Sequence, residues 1–128
     1  MIDKLKEECG VVGILQNKDA AVLTQLGLHA LQHRGQEGAG IVSCDGNEFV
    51  CIRKKGLVSD NFNKLKTLKK LKGNSAIGHV RYSTAGGSIK KNIQPLFANL
   101  ADGGFACAHN GNLINTNYLR EELIITGS

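Results

Sequence analysis

The chain has 128 residues, of which 41% are hydrophobic and 21% are charged, and this balance predicts a single soluble globular domain. The composition excludes a disordered chain, and no apolar run is long enough to cross a bilayer. Residues 1–8 are too charged for a secretory signal, so we expect a cytoplasmic protein that does not bind membranes.

The four cysteines form no CxxC pair, which argues against a zinc ribbon or a disulfide framework and favours reduced thiols. The net charge of +5 comes largely from a lysine-rich stretch at residues 64–72. No aromatic residue lies between these lysines to stack on bases. The stretch therefore indicates a solvated surface, and we expect no nucleic-acid partner.

The N-terminal part of the chain predicts a strand followed by a helix. Residues 11–16 are an apolar run typical of a short buried strand, and residues 17–19 can form a turn and cap the helix. Gly35 is placed to end that helix. The stripe predicted to pack on a sheet consists of Leu23, Leu26, Gly27, Ala30 and Leu31.

Two hairpins and one further strand are predicted next. The first hairpin turns at Asp45-Gly46-Asn47, because Asp-Gly tolerates the positive φ of tight turns. The lysine-rich stretch predicts one or two short helices between the hairpins. The strand-like runs are residues 39–44, 48–54, 75–82, 96–100 and 105–109.

A final helix is predicted from Asn115 or Thr116 through Ile125, with Gly127 closing it. The order of elements predicts an α+β protein whose layers are built on antiparallel sheet. Little sequence follows the last helix to cover it, so we expect the chain to be part of a larger domain.

Cys9 is the first candidate for catalysis. If residues 1–8 are removed as a propeptide, the thiol and a free α-amine lie on one residue, and the amine can relay the thiol proton. No separate histidine base is then needed. The alternative is a small buried side chain at the start of a core strand.

Two further candidates lie at predicted strand ends. The guanidinium of Arg81 suits bidentate recognition of a carboxylate, and the amide of Asn110 with the N–H of Gly111 suits stabilisation of an oxyanion. The alternatives are a surface ion pair for Arg81 and a type I′ turn for Asn110-Gly111.

Four blocks of the sequence resemble, in order, the signature blocks of the amidophosphoribosyltransferase family. They are ECGVVGI at residues 8–14, LQHRGQEGAG at 31–40, GHVRYSTAG at 78–86 and HNGNL at 109–113. The resemblance implies a class II glutamine amidotransferase domain with the N-terminal-nucleophile hydrolase fold, a four-layer αββα sandwich, incomplete in this chain. Residues 9–128 would form roughly the first half of that domain.

The resemblance also implies how the site works. Cys9 would attack the side-chain amide of glutamine, release ammonia, and pass through a thioester that water hydrolyses to glutamate. Arg81 would hold the substrate α-carboxylate, and Asn110 with Gly111 would form the oxyanion hole. Arg34 and Gly35 would belong to the loop that lines the nucleophile, and Thr84 would belong to the glutamine loop. Tyr82 would couple the glutamine site to the acceptor site.

In this family the ammonia is transferred to phosphoribosylpyrophosphate, giving 5-phosphoribosylamine in the first committed step of purine synthesis. The phosphoribosyltransferase domain and its Mg²⁺ site are absent from these residues, as is an aspartate that binds the glutamine α-amine. Members with propeptides often carry a 4Fe-4S cluster, whose ligands would lie beyond Ser128; Cys44, Cys51 and Cys107 match none of them. We expect no cofactor in this chain, a homo-oligomeric full-length enzyme, and no phosphoribosylamine formation by these residues alone.

Three alternatives remain open at this stage. The first is another class II amidotransferase, such as glucosamine-6-phosphate synthase, asparagine synthetase or glutamate synthase. The second is an inactive fragment. The third is a metal-binding module that uses His29 and His33 with Cys107 or His109, since ligands at i and i+4 share one helix face.

Overall fold

The computed structural model describes residues 9–32, 36–82, 90–111 and 113–127. The helices longer than one turn and the strands are β1 (Gly10–Ile14), α1 (Ala20–Leu31), β2 (Gln36–Cys44), β3 (Phe49–Lys55), α2 (Val58–Phe62), α3 (Leu65–Leu68), β4 (Ser75–Tyr82), β5 (Leu96–Leu100), β6 (Gly103–Cys107) and α4 (Thr116–Ile125).

Four of these strands form one antiparallel sheet in the order β1-β4-β2-β3. β4 lies inside the sheet, where Val80 pairs with Gly10 on one side and with Ala39 on the other. Residues of β4 alternate between the two faces, so Ala76, Gly78 and Val80 face one way and His79 and Arg81 the other. β4 is therefore in contact with both layers that cover the sheet.

The hydrophobic core lies between one face of this sheet and α1, α2 and the segment that follows α3. Its fully buried members include Leu28, Ile41, Phe62 and Val80. A Cβ added to Gly78 would lie 2.6 Å from Cγ2 of Thr24 and 2.7 Å from Cδ1 of Leu28, so α1 packs directly on the β4 backbone.

This close packing corrects the predicted face of α1. The buried residues are Ala20, Ala21, Thr24, Gln25 and Leu28, whereas the predicted Leu23, Leu26 and Leu31 are exposed by 37%, 54% and 38%. Small side chains let the helix approach the sheet more closely than a leucine stripe would. The predicted stripe is confirmed only in part: Gly27 lies against Val12 and Leu31 lies against Gly10 of β1, whereas the centre of the buried face is formed by other residues.

A second, two-stranded antiparallel sheet of β5 and β6 lies against the opposite face. The rings of Phe49 and Phe97 contact each other with centroids 5.4 Å apart. Gly104 lies against the same ring: a Cβ added to Gly104 would lie 2.5 Å from Cδ2 of Phe49. Gly40 of β2 lies so close to the carbonyl of Gln94 that no side chain fits between them.

The α+β class and the first hairpin are confirmed. Strands β2 and β3 pair through Cys44 and Phe49, and Gly46 adopts φ +106° in the turn. The prediction for β6 was wrong by two residues, since the strand ends at Cys107 and His109 lies beyond it. The final helix is confirmed, with Gly127 at φ +84°.

Apolar side chains remain exposed on the C-terminal elements of the described chain. They include Leu100, Phe105, Leu113, Ile114, Tyr118, Leu123 and Ile125. Within the described ranges, helices are too short or too polar to serve as membrane spans.

Candidate active site

Cys9 lies immediately before β1, beside the last residues of β4. Its Sγ accepts a hydrogen bond from the Tyr82 main-chain N–H at 3.4 Å and lies 3.8 Å from the Tyr82 carbonyl oxygen. Both main-chain polar groups of Tyr82 therefore lie beside the sulfur and fix its position. The residue is half-buried and also packs against the hydrophobic core, which agrees with a small side chain at the start of a core strand.

Tyr82 ends β4 with a buried side chain. Its hydroxyl lies 3.5 Å from the Leu31 carbonyl oxygen, to which it donates. One residue therefore contacts the candidate nucleophile through its backbone and the last residue of α1 through its side chain.

Arg81 lies one residue before Tyr82, on the face of β4 that also carries His79. Its Nη1 donates to the carbonyl oxygen of Asn92 at 3.3 Å. Its Nε is buried and has no hydrogen-bond partner among the described residues. Spare, partly desolvated donors suit an Arg that receives a carboxylate.

Asn110 and Gly111 are exposed and follow β6. Gly111 has φ +146°, a value that an L side chain rarely adopts. Asn110 is not among the residues with positive φ, and a type I′ turn requires positive φ at both central positions. The type I′ alternative is therefore wrong, and this backbone shape needs another explanation.

The residue before this pair is held at both of its main-chain polar groups. The His109 N–H donates to Oε1 of Gln94 at 2.7 Å, and the His109 carbonyl accepts from Nε2 of His79 at 3.1 Å. His79 is fully buried and Gln94 is 7% exposed. Two buried side chains thus fix the backbone that leads into Asn110.

His79 is neutral in this environment. Its pKa is lowered to about 4, mainly because burial disfavours the charged ring, and the positive charges of His109 and Arg81 add to that effect. The hydrogen bond to the His109 carbonyl opposes the shift in part. Since a carbonyl can only accept, Nε2 carries the proton, and Nδ1 is buried with no hydrogen-bond partner among the described residues.

Three of the predicted site residues and the predicted propeptide cannot be placed in this site. Arg34, Gly35 and Thr84 fall outside the described residues, as does the predicted propeptide at residues 1–8. Cys9, Arg81 and Tyr82 come together at one end of β4. The Asn110-Gly111 pair is attached to the same strand through His79 and His109.

The remaining cysteines lie on strands as expected, with Cys44 and Cys51 half-buried and Cys107 exposed. Burial raises the pKa of the Cys51 thiol, and Arg53 beside it opposes that shift. Across the described ranges, no three His, Cys, Asp or Glu side chains are grouped to hold a metal. His33, which the metal-binding alternative needs, lies outside those ranges.

Sequence reasoning missed two residues, His79 and Gln94. His79 was visible as a polar residue in an apolar strand, which is a signal for a buried hydrogen bond. Gln94 gave no such signal, because it precedes a proline in a loop and its partner is a backbone group beyond the next hairpin.

The chain is similar to known proteins over most of its length. The family model for class II glutamine amidotransferases matches residues 9–124, beginning at Cys9. The chain is 58% identical over 126 residues to an amidophosphoribosyltransferase of Rhizobium etli, covering 98% of this chain and 25% of the relative. It is 50% identical over 128 residues to the Bacillus subtilis enzyme of that name, covering 99% of this chain and 27% of the relative.

A solved structure agrees with these matches. It is the glutamine phosphoribosylpyrophosphate amidotransferase of B. subtilis in complex with ADP and GMP, with a TM-score of 0.79 and 45% identity over 92% of this chain and 25% of the solved chain. The likeness confirms the predicted α+β fold of the N-terminal-nucleophile hydrolases. The chain spans about a quarter of the length of these relatives.

Proposed function

The chain belongs to the class II glutamine amidotransferases, and from this premise we propose that it carries the glutaminase half of an amidophosphoribosyltransferase. The proposal rests on one observation above all. Cys9, Arg81 and the segment before Asn110 are held by the same strand, through Tyr82 and His79. That shared attachment supports assigning a nucleophile, a carboxylate-binding cation and an oxyanion-binding backbone to one site.

In the proposed reaction the substrate is glutamine and the nucleophile is the thiolate of Cys9. Arg81 binds the α-carboxylate through guanidinium donors such as Nε, which has no hydrogen-bond partner among the described residues. The thiolate adds to the side-chain amide carbon, and the negative charge that develops on the amide oxygen is accepted by the Asn110 amide and the Gly111 N–H.

The tetrahedral adduct then collapses. The C–N bond breaks, the nitrogen takes a proton from the α-ammonium group of Cys9, and ammonia leaves a thioester behind. Water adds to the thioester carbon, the C–S bond breaks, and glutamate is released with the thiol restored. The balance is glutamine plus water giving glutamate plus ammonia.

We further propose that this ammonia is used on phosphoribosylpyrophosphate to form 5-phosphoribosylamine in purine synthesis. The support is that both curated relatives carry the name amidophosphoribosyltransferase. We assign the acceptor step and its Mg²⁺ to parts of the enzyme other than these residues. The same holds for any iron–sulfur cluster and for the contacts of a homo-oligomer. Tyr82, which contacts Cys9 and α1, is proposed to couple the two sites, and Arg34, Gly35 and Thr84 to line the glutamine pocket.

The amine of Cys9 requires removal of residues 1–8. Support for this processing is that the family match begins at Cys9 and that the Sγ already has a backbone donor at Tyr82. The test is intact mass and N-terminal sequencing of the natural full-length protein that carries this sequence, alongside glutamate release from glutamine. We expect a chain that starts at Cys9 and releases glutamate.

Two cysteine variants provide the matched comparison. Cys9→Ala should release no glutamate, whereas Cys107→Ala, which changes an exposed thiol on β6, should retain the wild-type rate. A wild-type protein that keeps its leader and still hydrolyses glutamine would overturn the amine relay. Glutaminase activity that survives in Cys9→Ala would overturn the assignment of the nucleophile.

A further inference from the structure

We propose that His79 and Gln94 are positioning residues for glutamine hydrolysis, which clamp the backbone of His109 and thereby aim Asn110 and Gly111 at the developing oxyanion. The inference rests on the proposed function, because it assigns Asn110 and Gly111 to the oxyanion hole. It adds two residues that do not touch the substrate.

The clamp acts on main-chain atoms from two directions. Gln94 accepts the His109 N–H at 2.7 Å, and His79 donates to the His109 carbonyl at 3.1 Å. With both polar groups of one peptide segment bonded to buried side chains, rotation of that backbone breaks at least one buried hydrogen bond.

Each half of the clamp is itself fixed. His79 is fully buried on β4, inside the four-stranded sheet. Gln94 belongs to a segment held against the same sheet face, where Asn92 accepts from Arg81 and Ile93 accepts from Arg53 at 3.2 Å. Gly40, which pairs with His79, has no side chain, and the Gln94 carbonyl lies in the space so left.

Among the described residues, the chain beyond the clamp has no comparable support. Asn110 and Gly111 are exposed, and Gly111 adopts φ +146°, a shape that this flexible residue does not hold by itself. An oxyanion hole works only when its donors are already in place as the charge develops. The rigid clamp therefore supplies the preorganisation that the Asn110-Gly111 pair lacks.

The test uses His79→Leu and Gln94→Met in the natural full-length protein, each removing one hydrogen-bonding group at similar volume. Because the oxyanion exists only in the transition state, kcat for glutaminase should fall about 10- to 100-fold while KM for glutamine stays unchanged. His79→Gln and Gln94→Glu keep a donor and an acceptor respectively, and they should recover most of the lost kcat.

Two controls separate positioning from loss of structure. Alkylation of Cys9 by iodoacetamide forms no oxyanion, so its rate should not change in either variant. Thr24→Ala removes the buried methyl group with which α1 packs on Gly78, on the other face of β4, and it should lower the melting temperature while leaving kcat intact. Unchanged kcat in His79→Leu and Gln94→Met, or equal losses of kcat and alkylation rate, would overturn the proposal.

A readout that needs no activity keeps the two proposals apart. Hydrogen–deuterium exchange of the His109 amide should be slow in the wild type and faster in Gln94→Met and His79→Leu. If exchange at His109 does not change, the clamp is wrong even where glutaminase activity is found. If wild type shows no glutaminase activity, the proposed function fails, while the exchange data still decide whether the clamp exists.

Discussion

The buried ring of His79 donates a 3.1 Å hydrogen bond to the main-chain carbonyl of His109. Through this contact the segment that carries Asn110 and Gly111 is attached to β4. The same strand ends at Tyr82, whose N–H contacts the sulfur of Cys9. One strand therefore holds the candidate nucleophile and positions the candidate oxyanion donors, so that a disturbance of β4 should affect both.

Stability should depend on pH through His79. Its pKa is lowered to about 4 in the folded protein, while an unfolded histidine takes up a proton near the ordinary value of 6.5. Between these values the unfolded state binds more protons, so the free energy of unfolding should fall as pH decreases from 6.5 toward 4, by up to about 1.4 kcal/mol per pH unit.

Urea unfolding at a series of pH values measures this effect. His79→Gln removes the titrating ring and should flatten the dependence in that range, whereas His29→Gln, at an exposed position on α1, should not. The groups that face His79 with positive charge are His109 and Arg81, and both oppose a charge on its ring. Equal slopes in wild type and His79→Gln would contradict the prediction.

Arg81→Gln should weaken glutamine binding. Loss of charge-assisted hydrogen bonds to the α-carboxylate, worth about 1.5–3 kcal/mol, predicts that KM for glutamine rises about 10- to 100-fold. Steady-state glutaminase kinetics measure it. Arg53→Gln is the matched control, because Arg53 also donates to a carbonyl of the segment beside β4, at Ile93. If KM rises equally in both variants, the cause is the loosened segment around Asn92 and Ile93, and Arg81 does not bind the carboxylate.

Gly40→Ala should reduce both stability and activity. The added methyl group would collide with the Gln94 carbonyl and lie 3.0 Å from Cγ of Arg53, so the segment must move away from the sheet. Overpacking of this kind costs about 1–3 kcal/mol. The displaced Gln94 should also lower kcat through His109, as measured by thermal unfolding and glutaminase assay.

Gly13→Ala is the control for Gly40→Ala, because Gly13 is also a glycine within a strand. The nearest atom to its added methyl group is Cγ2 of Ile77 at 3.9 Å, an ordinary contact. Gly13→Ala should therefore change neither measurement. If the two variants behave alike, the close approach of Gln94 to Gly40 does not matter for the site.

Leu28→Ala should destabilise the fold by about 2–5 kcal/mol, because it empties a fully buried position between α1 and β4. Leu26→Ala, at a position 54% exposed on the same helix, should have little effect on the described domain. Denaturant unfolding of the two variants separates the observed helix face from the one predicted by hydrophobicity. A larger loss in Leu26→Ala would contradict the packing described above.

Much of the secondary structure could be predicted from local signals. Asp45-Gly46-Asn47 predicted the first hairpin, and the run from Ser75 to Tyr82 predicted β4 with its observed bounds. These predictions succeed because turn chemistry and strand patterning act over a few residues. The face of α1 could not be predicted, since Gly78 on a distant strand decides how closely the helix packs.

The candidate site divides in the same way. Cys9, Arg81, Asn110 and Gly111 were identified from residue type and motif, because a nucleophile, a guanidinium and an amide with a flexible neighbour are recognisable chemistry. Their supporting contacts were not. The hydrogen bonds that join His109 to His79 and to Gln94 span 30 and 15 residues, and a single sequence does not indicate which backbone groups such buried side chains reach.

The sequence by itself determined the class of protein, the candidate reactive groups and the approximate position of most elements, because these depend on side-chain chemistry and short-range conformational preference. Only the tertiary structure decided that β4 connects Cys9 with the segment that carries Asn110 and Gly111. That outcome depends on antiparallel pairing between β1, β4 and β2 and on the room left by Gly40 for Gln94. Both arise from long-range packing, which brings together residues whose separation along the chain carries no local signal.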